Sequence, residues 1–500
     1  MRPLLYRLGM ATFDDLPATP LPQCAVKAGH FLRAARMVLA RPVAAFVFLS
    51  MLFGTLTIVL TPPLEGPDEP AHFLRAYGIS VGEIVPKTVD EQGRKGVFVP
   101  ARLHWEYAVF ERALFKLGKA KDFDYRRVWA EYFHGPPTRS DGRAPVFQLY
   151  WGSEGYAPVA YLPQVAAAAV ARLADLDFVG MLLLMRFAGL AAMTALTAYA
   201  IAIAGRLRWA FVLIAMLPAA LYGRSVVSAD GAALACTMVL TALCVRAAGS
   251  GGERPWERSL FMTLCVLSKP PQLAFVLIET MTRPFQQWPR HWRTFALVVL
   301  PGLILAPLWV VAVSGDAGTW RIFHNTSMPP EHFSFAWKLR FMLEHPLHFP
   351  LAVITSLRWS RDYWLQLIGI LGWLDTWLQY WVYPVVTIAL AAVCIVPMEA
   401  ERATRLRIAL VSGLTAFAYW LAIYLIFFVI WTPIAAIEVE GVQGRYFLPM
   451  LPPLALSISA LTKRGPAQTT IAAIALACAI VSGGAVVEAI LRMVGPPFGR

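Results

Sequence analysis

Nearly uncharged apolar runs alternate with short basic turns along most of this chain. The runs at 294–314, 408–431 and 469–490 each approach the roughly 20 residues that a helix needs to cross a bilayer core. The first run begins near residue 42, behind a basic stretch of Lys27, Arg33, Arg36 and Arg41. It has no A-x-A-like cleavage site, so it reads as an uncleaved first span with the N-terminus in the cytoplasm. The hydrophilic stretch from 62 to about 157 then lies outside. It is mixed in sign, rich in aromatics and too long for a bare linker, which predicts short amphipathic helices at the membrane surface.

The apolar run 157–174 sets the topology, because it either spans or lies flat. If it spans, the basic turn Arg206/Arg208, the segment from Arg246 to Arg258 and the cluster Arg283/Arg290/Arg293 all fall outside. If it lies on the outer surface they fall inside, together with Arg402/Arg405/Arg407 and Lys463/Arg464. The second arrangement is adopted, and Pro158 and Pro163 suit it. Further spans follow at 179–204, 209–222, 228–246, 258–268, 271–282, 294–314, 376–397, 408–431, 446–461 and 469–490, for about eleven crossings. Pro270 and Pro271 break the pair 258–268 and 271–282 at its outer end, an arrangement tolerated where protein or a wet cavity shields the turn. The expected organisation is a cytoplasmic segment 1–41, a transmembrane module 42–314 with an outer loop 62–178, a second outer loop 315–375, and C-terminal spans 376–500.

Composition supports this picture. The chain is 58% hydrophobic and 15% charged, against about 25% charged in soluble domains, and its mean hydropathy is +0.57. A net charge of +13 comes from Arg and Lys spread over short loops with no aromatic-interleaved basic patch, so no nucleic-acid partner is expected. Five of the six cysteines fall within apolar runs and only Cys24 outside, which leaves neither a disulfide framework nor a CxxC metal site.

Five segments at span ends carry candidate chemistry. Directly after the first span, Pro-Pro-Leu-Glu-Gly-Pro-Asp-Glu-Pro-Ala-His holds Asp68 and Glu69 between Pro67 and Pro70, and stiff backbone on both sides fixes the direction of two carboxylates. His72 and Arg75 follow at helical spacing from Asp68. An acidic pair capping a surface helix is the competing reading. Asp230 stands at a membrane edge, where a carboxylate is costly unless hydrated or paired, or else caps a helix. Lys269, in Leu-Ser-Lys-Pro-Pro, is a compact cation suited to a lipid-carrier phosphate, with snorkelling as the alternative. In Gly-Val-Gln-Gly-Arg-Tyr-Phe-Leu-Pro, glycines flank Gln443 and permit close backbone approach. Arg445 offers a two-pronged fork for phosphate, although Arg445 and Tyr446 also suit a membrane anchor. Asp375, in Gly-Trp-Leu-Asp, adds a weaker acidic position that also fits a belt tryptophan with a cap. On the inferred topology all of these reach the outer leaflet.

The stretches P-P-L-E-G-P-D-E-P-A-H-F-L-R-A-Y, G-W-L-D and G-V-Q-G-R-Y-F-L-P together resemble an uncharacterised bacterial family of polytopic inner-membrane proteins. That family is in turn similar to the GT-C superfamily of membrane glycosyltransferases, which use polyprenyl-phosphate sugars on the outer face. The resemblance implies an all-α, GT-C-like bundle with Asp68, neighboured by Glu69, as catalytic base. It places Asp230 as a second acidic site and turns Lys269 and Arg445 toward the carrier phosphate. Some relatives use a divalent metal ion and others do not, and the carboxylates here form no complete ligand set. The expected partners are the bilayer, a polyprenyl-phosphate-linked sugar and a cell-envelope glycan or lipid acceptor. A flippase for a lipid-linked saccharide and a non-catalytic subunit of a polysaccharide assembly complex are the alternatives.

Overall fold

Helix α1 (Pro42–Leu60) begins on a proline, whose missing N–H matters least in a first turn. It ends at Thr61, whose N–H reaches Thr57 O at 2.9 Å, because Pro62 and Pro63 cannot donate onward. The computed structural model describes residues 41–116, 124–135, 144–249, 254–314, 335–434 and 436–494. The expected cytoplasmic segment up to residue 40, and residues 315–334 of the second expected outer loop, lie outside the described residues.

The first hydrophilic stretch carries α2 (Glu69–Ser80), β1 (Gly96–Val99), α3 (Ala101–Lys116), α4 (Tyr125–His134) and β2 (Val146–Leu149). Strands β1 and β2 pair antiparallel from Gly96↔Leu149 to Val99↔Val146. A 3-10 turn (Pro158–Tyr161) leads into α5 (Leu162–Leu173), followed by α6 (Phe178–Ile203). Next come α7 (Arg208–Met216) and α8 (Pro218–Ser225), bent by 67° at Pro218. Helix α9 (Asp230–Ala248) and α10 (Pro255–Ser268) precede a 3-10 segment, Pro270–Thr282, and the long α11 (Trp288–Val313). After the undescribed residues come α12 (Phe335–Glu344), α13 (His348–Ser356), α14 (Ser360–Gly369) and the small hairpin β3 (Ile370–Leu371) with β4 (Thr376–Trp377). Helix α15 (Val382–Cys394), α16 (Arg402–Ile430), a 3-10 turn (Gly444–Met450), α17 (Leu451–Leu461) and α18 (Gln468–Val494) complete the described chain.

The protein is thus mostly helical, as expected, with two small hairpins that the hydropathy pattern does not predict. Among the described residues, six helices are long and apolar enough to cross a membrane, or seven if the bent α7–α8 pair is one span. Eleven crossings therefore exceed what length supports among the described residues. Helix α10 has 14 residues, α15 has 13 and α17 has 11. A 14-residue helix covers only about 21 Å of a core about 30 Å thick. Helix α17 gains reach from the seven-residue 3-10 turn that runs directly into it. Segment 157–174, expected to lie flat, forms the 3-10 turn Pro158–Tyr161 and the 12-residue α5, which alone covers about 18 Å.

Two apolar cores organise these elements. The larger fills the bundle and takes in α1, α7 to α10, the Pro270–Thr282 segment and α15 to α18. Helix α9 is its pillar: 78% of its apolar window is buried, against 17% for α11. Its small residues let neighbours approach closely. The second core unites the first hydrophilic stretch with the start of α6 through aromatic contacts, among them Phe73 edge-on to Phe178 at 5.1 Å and Phe110 against Tyr132 at 5.2 Å.

One buried ion pair ties the two cores together. Arg186, on α6, donates to Ile58 O at 3.2 Å, Thr61 O at 2.7 Å and Pro62 O at 3.0 Å, so it satisfies carbonyls left over at the C-terminus of α1. The same guanidinium meets both oxygens of Glu69, at 2.8 and 2.6 Å. Both side chains are fully enclosed, at 1% and 0% exposure. Breaking such a pair strands a buried charge and typically costs about 3–5 kcal/mol, whereas an exposed pair is worth at most about 1 kcal/mol. Arg186→Met is expected to lower thermal stability in nanodiscs by that larger amount, and Arg340→Ala, at the exposed pair with Glu344, to leave it nearly unchanged. Equal effects of the two substitutions would contradict the assignment.

Candidate functional site

The loop 62–68 enters the site with an unusual backbone. Leu64 and Asp68 sit at φ 69° and 54°, a left-handed conformation that costs a residue other than glycine about 1–3 kcal/mol and persists only where its surroundings enforce it. Those surroundings are visible. Gly66 leaves no room for a side chain, since a Cβ there would stand 2.7 Å from the Val226 Cβ. Gly66 N donates to Glu69 Oε2 at 3.1 Å, and Val227 N donates to Glu69 Oε1 at 2.9 Å. Glu69 is spent on Arg186 and these two amides. Asp68 occupies the N-cap position of α2 but makes no capping bond with its side chain.

The Asp68 carboxylate instead accepts from Arg445 Nη2. Arg445 reaches it because Gly444 permits a close approach: a Cβ there would lie 2.0 Å from Tyr363 O. Gly444 N donates to Gln366 Oε1 at 2.7 Å, which pins the 3-10 turn onto α14. Arg445 also stands 3.6 Å from Asp230 Oδ2. Asp230 opens α9, where the helix dipole favours an acid, and its N–H donates to Ser228 Oγ at 3.2 Å. Lys269 completes the group by donating to Asp230 Oδ1. Its extended backbone, φ −151° and ψ 140°, is what a residue before proline prefers. Gln272 fastens the following turn to α9, donating to Ala233 O at 2.8 Å and Thr237 Oγ1 at 2.9 Å.

Asp68, Arg445, Asp230 and Lys269 thus form one chain of alternating charge drawn from four distant segments. Exposure separates their roles: the Asp68 side chain is 41% exposed, against 8% for Arg445 and 8% and 11% for Lys269 and Asp230. Arg445 still has Nε and Nη1 without a hydrogen-bond acceptor, and the Gln443 Oε1 beside it is likewise buried and unpartnered. Aromatic rings wall the group. Lys269 Nζ lies 4.9 Å from the Tyr446 ring centre and 5.8 Å from that of Tyr156, while Tyr446 stacks on Phe427 at 5.2 Å. His72 stands behind Tyr156 and bonds Tyr161 Oη through Nδ1 at 2.6 Å. Burial pushes its pKa down to about 4, against the pull of Asp68 and Asp230, so His72 is neutral at neutral pH.

Two further residues named from sequence lie apart from this group. Arg75 is fully buried and holds the turn after α2, donating to Glu83 O at 2.9 Å and Ile84 O at 2.7 Å. Asp375 is exposed and shapes the β3–β4 hairpin by accepting from Trp373 N at 3.2 Å and Thr376 Oγ1 at 3.1 Å. That hairpin touches the catalytic-candidate loop through Trp373 Nε1, 3.5 Å from Leu64 O. Sequence reasoning missed Arg186, Tyr156, Tyr161 and Gln272. A lone arginine in the apolar run 178–203 was a usable signal for Arg186; nothing in the spacing points to the other three.

No three His, Cys, Asp or Glu side chains gather as a metal ligand set among the described residues. At this site Asp68 and Asp230 face Arg445 and Lys269, and Glu69 faces Arg186, so the donor set does not fit a resident divalent ion.

Such a bundle, with ionised groups gathered at one end of apolar helices, is that of a polytopic membrane protein. The chain belongs to the family described as "Predicted membrane protein (DUF2142)", whose sequence profile matches residues 51–454 and so includes all four charged residues. No curated protein and no solved structure matches it.

Glu65 supplies a pH-dependent test of the loop. It is 1% exposed and accepts from Tyr125 Oη. Burial raises its pKa from 4.5 to about 7; the Tyr125 bond offsets part of the rise, and the Asp375 and Glu69 charges add to it. The folded state therefore holds this proton more tightly than the unfolded chain, and stability is lost as pH climbs from about 4.5 to about 7. Glu65→Gln is expected to raise the melting temperature at pH 8 while changing it little at pH 4.5, read by thermal unfolding in nanodiscs. A variant whose melting temperature falls equally at both pH values would refute this.

Proposed function

We propose that this protein is a membrane glycosyltransferase that moves a sugar from a polyprenyl-phosphate donor to a cell-envelope glycan or lipid acceptor on the outer face of the inner membrane. The observation that carries the reading is Arg445: one buried guanidinium set between two carboxylates, with Nε and Nη1 lacking a hydrogen-bond acceptor, beside the single half-exposed acid of the group. The Arg445 guanidinium and the Lys269 ammonium suit the oxygens of a phosphate ester, and Arg supplies two-point geometry that Lys cannot.

In the proposed reaction Asp68 takes the proton of an acceptor hydroxyl as that oxygen attacks the sugar's anomeric carbon. The bond from that carbon to the phosphate oxygen breaks, and the electron pair leaves with the polyprenyl phosphate. Lys269 and Arg445 meet the charge that builds on the departing phosphate. A phosphate arriving at Arg445 competes with Asp68 for the guanidinium, which turns the carboxylate toward the acceptor. Asp230 keeps the two cations from repelling one another before the donor binds. Glu69 and Arg186 hold the loop, and His72 with Tyr156 and Tyr161 forms an uncharged wall.

General-base contributions are typically about 10²–10⁴-fold. Asp68→Asn is expected to reduce transfer from a labelled polyprenyl-phosphate sugar by at least about 100-fold in membranes that hold normal amounts of protein. Lys269→Met and Arg445→Lys are expected to weaken donor use as well. Undiminished transfer by Asp68→Asn would rule out the base, and transbilayer movement of labelled lipid with no new glycosidic bond would replace the reading with that of a flippase.

A further inference from the structure

A second cavity lies beside the segment that delivers Arg445. It is an open cleft of about 420 Å³ between α14, the β3–β4 hairpin and residues 438–441, within the range of about 300–1,000 Å³ usual for small-molecule sites. Trp359, Tyr363 and Trp377 provide aromatic surface, while Asp362, Gln366 and Glu440 provide polar groups. Glu438 lines it too, but is engaged by Arg358 at 2.8 Å and by Trp359 Nε1 at 2.9 Å. No lysine or arginine lines the cleft.

We propose that this cleft binds a phosphate-free saccharide through stacking on its aromatic rings and hydroxyl donation to its carboxylates.

The choice of ligand follows from the lining. One face of a pyranose ring presents C–H hydrogens of partial positive charge, which suit the negative face of an aromatic ring. Hydroxyl and amino groups are donors, and the Asp362 carboxylate is an acceptor. Gln366 accepts from Gly444 N through Oε1, which leaves its amide nitrogen to donate. An anionic ligand would meet the Asp362 carboxylate with no lysine or arginine in the lining, so phosphorylated sugars and anionic lipid headgroups are disfavoured. Acyl chains are disfavoured as well, because carboxylates do not face hydrocarbon.

Position links the cleft to the charged group. Gln366 lines the cleft and holds the residue before Arg445, Tyr363 lines it and packs against Phe447 at 6.0 Å, and Gly441 closes it two residues before Gln443. The cleft and the charged group therefore share one piece of backbone. Saccharide binding stands on the cleft alone; naming it the acceptor subsite rests on the glycosyltransferase reading above.

The test is saturation-transfer-difference NMR on the full chain in nanodiscs, with maltotriose, chitotriose and the glucosamine trimer as probes and inorganic phosphate as competitor. Transfer to the ring protons of at least one trisaccharide is expected, reduced at least fivefold by Trp377→Ala and by Asp362→Asn, and unaffected by Asp68→Asn or by phosphate. No transfer to any probe, or transfer that survives both cleft substitutions, would overturn the proposal. Trp377 is 39% exposed and Asp362→Asn is isosteric, so unchanged melting temperatures keep the comparison valid. In the glycosyl-transfer assay the two cleft variants should raise acceptor KM and spare kcat. Probe binding without transfer by the wild-type chain would end the enzyme reading and leave the cleft standing. Transfer with an unchanged acceptor KM in both variants would do the reverse for the acceptor assignment.

Discussion

Everything at the charged end of this bundle depends on where Arg186 puts its five donors. Helix α1 leaves carbonyls unsatisfied where two prolines end it, and a guanidinium from α6 takes three of them while gripping Glu69. A charge buried this deeply persists only if it is paired and fully hydrogen-bonded. The pairing therefore fixes the loop 62–69 with little freedom. Once Glu69 is held inward, the left-handed backbone at Asp68 turns the neighbouring carboxylate the other way, out to Arg445. Two adjacent acids thus come to have opposite surroundings, one entirely enclosed and one half open.

The same logic of paired charge runs through the rest of the site. Asp230 and Lys269 would each be costly at a membrane edge alone, and together with Arg445 and Asp68 they form a group whose formal charges cancel. Cancellation makes the resting state tolerable in a poorly hydrated setting. Under the proposed function, an anionic ligand would enter by exchange, replacing a carboxylate at a cation rather than adding charge to a neutral pocket. The tyrosine wall formed by Tyr156, Tyr161 and Tyr446 limits water around the cations, which strengthens their hold on whichever anion they face.

Charged residues at span ends were legible in the sequence because apolar surroundings make them conspicuous: Asp68, Asp230, Lys269 and Arg445 stand out against their neighbours. Their meeting was not legible, since it depends on contacts between residues as far apart as 68 and 445. Which member of the Asp68–Glu69 pair faces outward was equally hidden, as it is set by Arg186 and the φ of one residue. Helical spacing correctly put His72 and Arg75 on α2, but burial then turned Arg75 to backbone carbonyls and His72 to Tyr161. Hydropathy found the apolar segments, but it registers neither the 67° bend between α7 and α8 nor the 3-10 winding of Pro270–Thr282, so six or seven helices among the described residues have the length that eleven crossings would ask for. The β1–β2 hairpin joins two four-residue strands on either side of two helices, too short for a reliable period-two signal.

The central claim is that the loop after α1 and the turn before α17 meet at one end of the bundle. Paired-cysteine cross-linking tests it most directly: Asp68→Cys with Arg445→Cys in a chain whose six native cysteines are replaced, carrying a protease site inserted at 250–253. A short bifunctional maleimide should hold the two halves together after cleavage, as the contact between these side chains requires. Halves that separate, with each cysteine labelled from an opposite face of the membrane, would contradict the account.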